Sequence, residues 1–169
     1  MRKVFLTLAM IAVSVGMMAQ TKFHDVEAQE ATGPVKSIVS SIMGNEQTIN
    51  FTPEGKMEEG QFTDMVYDEN GYLQSAKMEM QGMKLDVKFT WKNGKVAGNT
   101  VNMMGQEMTA TVAYNDKGAP MSETINVAGQ FLVTAYSDYQ FDDHGNWISR
   151  KATIQGQSMD QTRTITYYE

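Results

Sequence analysis

The stretch "FDDHGNWISR", residues 141 to 150, gathers the groups that metal and acid–base chemistry use: Asp142, Asp143 and His144 side by side, with Gly145 and Trp147 after them. Carboxylate oxygens and an imidazole nitrogen can ligate a divalent ion, and the same groups can move a proton. The chain repeats the stretch with that chemistry removed. "YDENGYL" at 67, "TWKNGKV" at 90 and "YNDKGAP" at 114 keep an aromatic residue and a glycine, while the position of the histidine becomes Asn70, Asn93 or Lys117. A ligand set does not survive such exchanges, whereas a tight turn does. The stretch therefore reads as a turn in which Trp147 starts the next strand, and no metal is assigned to it. "DENG" at 68 is likewise too short for calcium, which takes about six or more oxygens from a longer loop.

Other catalytic arrangements have little to stand on. The chain has two histidines, His24 and His144, and nothing in the spacing brings a serine to either. Glu58 and Glu59 are adjacent, so a strand would send them to opposite faces rather than across a scissile bond. With no cysteine there is no thiol nucleophile, no thiolate ligand and no disulfide. No enzyme activity and no cofactor are expected.

Methionine is the anomaly. Four of the fifteen fall within residues 1–19, and several of the rest flank two glycines: Met78, Met80 and Met83 around Gly82, and Met103, Met104 and Met108 around Gly105. Thioethers bind Cu(I), but methionine also fills irregular cores and adapts to varied apolar ligands. Core packing is the first reading. An apolar pocket lined by Met78, Met80, Met103, Leu85, Phe89 and Val112 is the second, and a copper site the third.

These residues must be positioned by repeated short elements. Gly71, Gly94, Gly118 and Gly145 mark the aromatic-to-glycine turns, and each is followed eleven residues later by a second glycine: Gly82, Gly105, Gly129 and Gly156. Gly33, Gly44 and Gly55 continue the rhythm upstream. That spacing suits a strand with its corners, and glycine beside Asn, Asp or Lys suits hairpins that need positive φ. Between the turns the side chains alternate. Met83, Leu85, Val87, Phe89 and Trp91 share one face, while Lys84, Asp86, Lys88 and Thr90 share the other. No window carries helical periodicity, and Pro34, Pro53 and Pro120 sit at or near turns.

The expected fold is all-β: an antiparallel meander of about ten to twelve strands over residues 33–169, closing as a barrel or folding into two layers to bury its apolar face. Residues 20–32 are polar and unpatterned and read as an N-terminal arm. Residues 1–19 read as a secretory signal: Arg2 and Lys3, an apolar run, then small residues, with cleavage after Ala19. Without a cysteine that site is not a lipoprotein signal. Loss of Arg2 and Lys3 leaves 12 basic residues of the original 14 against 20 acidic ones, a balance that disfavours nucleic acid and anionic lipid as partners.

The units "YDENGYL" and "FDDHGNW", each with a second glycine turn eleven residues on, resemble the YD repeats of the RHS family across residues 33–169. The resemblance implies a β-repeat architecture and says almost nothing about chemistry. The enclosing shell of large RHS members is not implied, because the chain has few repeats and no passenger segment. The expected function is that of an exported, non-enzymatic β-repeat protein of the bacterial cell envelope, periplasmic or secreted. It would act as a binding scaffold for an envelope protein or glycan, with carriage of a small apolar ligand as the alternative. A membrane barrel is a minor reading, opposed by short turns and by Arg150, Lys151 and Arg163 within strands.

Overall fold

The computed structural model describes residues 22–42, 45–60, 62–80, 82–103 and 105–169. The signal segment, Gly44 and Met104 lie outside them, as does the side chain of Met80. One short helix, α1 (Asp25–Ala28), precedes eleven strands: β1 (Val35–Ile42), β2 (Asn45–Asn50), β3 (Phe62–Tyr67), β4 (Leu73–Met80), β5 (Met83–Lys92), β6 (Lys95–Met103), β7 (Gln106–Tyr114), β8 (Pro120–Val127), β9 (Gln130–Phe141), β10 (Trp147–Ile154) and β11 (Gln157–Tyr167). All pair antiparallel in one sheet ordered β2-β1-β11-β10-β9-β8-β7-β6-β5-β4-β3. The all-β meander and its strand number are as the sequence implies.

The sheet runs as a ring with one break. Each strand pairs with its sequence neighbours, and β1 pairs with β11, placing Ile38 opposite Ile165. Only β2 and β3 remain unpaired to each other. The sheet thus does not close into a barrel. Between β2 and β3 in sequence, residues 51–60 fold back on β1 and β2, with Phe51 N–H donating to the Lys36 carbonyl and an isolated pairing of Phe51 and Met57.

Turn chemistry sets the register. Gly71, Gly94, Gly118 and Gly145 all adopt positive φ, between 73° and 84°. Three of the four loops share one construction: the Oδ1 of Asp68, Asn115 or Asp142 accepts the N–H groups two and four residues on. This Asx turn needs only a short side-chain acceptor and a glycine, so the intervening residues vary freely. The fourth is the two-residue turn Asn93–Gly94, with both φ values positive. Along β5 the alternation holds, with Leu85 and Val87 buried and Lys84, Asp86 and Lys88 exposed.

The arm is not an outside strap. Val26 and Ala31 are buried in the core with Val35, Ile38, Phe51, Met57, Leu73 and Ala76. The N–H groups of Phe23 and His24 donate to the carbonyls of Glu54 and Gly71. Asp25, fully buried, accepts from Met57 N–H at 2.7 Å and from the Tyr67 hydroxyl at 2.6 Å. No periodicity could announce this, because the four-residue helix offers about one turn and a single buried apolar position, Val26.

Candidate functional site

The inner face beside the arm is not uniformly apolar. Arg163 on β11 shares its side with Ile165 and Tyr167 and is buried, between exposed Thr162 and Thr164. Its guanidinium donates to the carbonyls of Trp147 at 2.5 Å, Gln29 at 2.7 Å and Glu30 at 2.8 Å. Burial pushes its pKa down to about 10. Arg163 is a clamp on the arm.

Arg150 on β10 is buried alongside it. Its Nε donates to Gln161 and its Nη1 to Glu30, each at 2.7 Å. The guanidinium lies between the Tyr136 ring at 3.8 Å and the Trp147 ring at 4.1 Å, and Arg163 stacks on Trp147 at 3.7 Å. Trp147 Nε1 also donates to Glu30. Desolvated guanidinium–ring contacts contribute about 2 kcal/mol or more each.

Bulges make this assembly possible. Regular alternation would send Tyr136 and Tyr139 to opposite faces, yet Asp138 has φ of 54° and the β9–β10 register shifts around it. Tyr136 then stacks on Arg150, while the Tyr139 hydroxyl reaches both Arg150 Nη1 at 3.4 Å and the Pro120 carbonyl. Asp138 is held by Lys151 at 3.0 Å. The same device recurs at Asp64, with φ of 50° and Lys77 at 3.0 Å, where β3 and β4 slip.

Between α1, the inner face of β1 and strands β7–β11 lies a cavity of about 310 Å³, lined by Glu30, Glu123, Tyr136, Arg150, Gln161 and Arg163 together with Val112, Ile38, Ser40 and Trp147. Six neighbouring strands reach one cavity only because the sheet curls tightly. Glu123 on β8 accepts from the Tyr136 hydroxyl at 3.2 Å. Burial, then the Glu123 charge, pushes the Tyr136 phenol up.

Of the pocket residues expected from sequence, Val112 alone lines this cavity. Met78 and Leu85 are cross-strand partners, and the pairing of Asp86 with Asn102 sets Met103 beside Leu85, so these three form a row. Phe89 packs on the core and lies 6.3 Å from Phe62. Met80 pairs with Met83 through the backbone. The two histidines are far apart in role: His24 stacks on Tyr72 at 3.9 Å and His144 on Tyr167 at 3.8 Å. Among the described residues no three His, Cys, Asp or Glu side chains gather as a metal site, and no helix is long and apolar enough to cross a membrane.

No family model and no curated protein matches the chain. Arg150, Arg163 and Glu123, which the sequence pattern does not assign to a site, do carry a signal. Each occupies the parity that elsewhere in its strand is apolar, as with Arg150 ahead of Ala152 and Ile154.

Proposed function

We propose that the protein is a non-enzymatic binding protein, exported to the bacterial cell envelope, that holds a small ligand in the cavity between its arm and strands β7–β11. The observation that supports this reading is a cavity of about 310 Å³ whose wall includes the buried Arg150, fixed between two aromatic rings. Small-molecule sites combine such concavity with a few fixed polar groups, at volumes from about 300 Å³ upward. A plain structural core would fill that space with apolar side chains. Both histidines are turned flat onto tyrosines, and neither lines the cavity.

The test is native mass spectrometry of protein taken gently from the envelope fraction of its own host, followed by thermal melts against a small-molecule library. A bound small mass and a raised melting temperature are expected. Bare protein that no library member stabilises would sink the proposal, as would robust hydrolytic turnover that purification does not separate from the chain.

A second reading, docking of an envelope protein, is favoured by the unpaired edges of β2 and β3, since exposed edges accept an added strand. A protein-sized adduct in the same spectrum, in place of a small one, would favour it.

A further inference from the structure

The cavity wall carries its charge unevenly. On the side of β10 and β11, Arg150 and Arg163 face a single carboxylate of the lining, Glu30, which already bonds Arg150 and Trp147. On the side of β8 stands Glu123, with no cation within ion-pair distance among the described residues. One wall is thus net positive by one charge and the other net negative by one, while the cavity as a whole is neutral. Two polar atoms also remain without protein partners among the described residues: Nη2 of Arg150, whose Nε and Nη1 are occupied, and Oε1 of Glu123, whose Oε2 takes the Tyr136 hydroxyl.

From this polarity we infer that the ligand is a small zwitterion, an α-amino acid or a short peptide, with its carboxylate on Arg150 and its ammonium on Glu123. The inference rests on the binding function proposed above and specifies its ligand class. A lone anion placed here would gain from Arg150 and be repelled by both Glu30 and Glu123. A lone cation meets the converse. A zwitterion alone pairs each end with an opposite charge and leaves no buried ion uncompensated. The guanidinium, held against Tyr136 and Trp147, presents its one remaining nitrogen, Nη2, in a fixed direction, and its N–H groups can donate to a carboxylate there. The Val112 and Ile38 side chains supply apolar wall for a side chain of the ligand.

Isothermal titration calorimetry of the purified, exported chain tests this with the twenty standard L-amino acids, glycylglycine, glucose and laurate as separate probes. At least one amino acid or the dipeptide should bind one to one. Its N-acetyl and its amide forms should each bind roughly tenfold or more weakly, because each deletes one charged end. Glu123→Gln, which keeps an acceptor for Tyr136, should weaken the zwitterion by a similar factor, and Lys84→Gln on the exposed side of β5 should change nothing. Arg150→Gln is a poorer probe because it also loosens the arm, so Glu123→Gln with an unchanged urea midpoint is the decisive variant. Binding of glucose or laurate with no zwitterion bound, or equal binding by the Glu123→Gln variant, would overturn the ligand class and leave the binding function standing. Silence from every probe class, beside bare protein from the host, would overturn both.

Discussion

Replacing Arg163 by methionine should free the arm from the sheet. The side chain is buried, and its three donors are the partners of the Trp147, Gln29 and Glu30 carbonyls at 2.5, 2.7 and 2.8 Å. Methionine keeps most of the apolar stem but satisfies none of the three. Each abandoned buried acceptor costs about 1 kcal/mol at the lower end of the usual range, since a carbonyl with two lone pairs tolerates partial loss. Loss of the stacking on Trp147 adds about 2 kcal/mol. Against this stands recovery of the guanidinium's own desolvation cost, felt already in its pKa of about 10, which in relaxed proteins is several kcal/mol. The net expectation is a loss of about 2 kcal/mol, mostly felt at the arm. Urea unfolding gives the total, and hydrogen exchange localises it: the Gln29, Glu30 and Ala31 amides, bonded within the arm, should lose protection before those of β5. A change below about 0.5 kcal/mol, or lost stability with the arm's protection intact, would refute the clamp.

Gly71 and Gly145 are equivalent in the repeat but not in the fold. A Cβ on Gly145 would meet nothing within 4 Å, so Gly145→Ala should cost only the left-handed backbone term of about 1–2 kcal/mol. On Gly71 the Cβ would lie 2.2 Å from the Lys22 carbonyl oxygen, so Gly71→Ala should cost more by about 1–3 kcal/mol as the arm is pushed away, a difference thermal melts resolve. His144→Asn keeps the Asx turn and loses one ring contact with Tyr167, worth about 0.5–1 kcal/mol at this exposed site, and added metal should shift neither melt. Trp147→Ala should be costly, about 3–5 kcal/mol, because it strips both arginines of their stacking partner. Asp25 should give a pH signature: burial raises its pKa above the ordinary 3.8, with the bonds from Tyr67 and Met57 opposing. A carboxyl raised in the folded state destabilises once ionised, so the parent should gain stability over Asp25→Asn as pH falls from 7 towards 4, measured as urea midpoints.

The repeat was legible because hairpin turns impose local chemistry: a short acceptor, a glycine and a fixed strand length leave marks that no packing detail erases. The inward row Met78, Leu85 and Met103 follows from the same alternation. The break in the ring could not be read, since whether β2 meets β3 depends on how the chain between them folds, and local pattern does not set that path. The cavity was hidden for a different reason. Its floor is the arm, docked through backbone carbonyls of Gln29 and Glu30 that carry no side-chain identity, and its walls depend on bulges at Asp138 that shift alternation by one residue. Arg150 and Arg163 oppose a lipid face, and charged residues on an inward parity also point to an interior site.

The seam between β1 and β11 also sets the order in which the molecule can be assembled. Every other pairing joins strands adjacent along the chain, and such hairpins form on the order of microseconds. The pairing of Val35 with Tyr167 waits for nearly the whole domain. A chain made from its N-terminus therefore holds β1 with one side unmatched until β11 has been made. During that interval β11 of one molecule can meet the open side of β1 in another, so this order of pairing opens a route to exchange of β11 between copies.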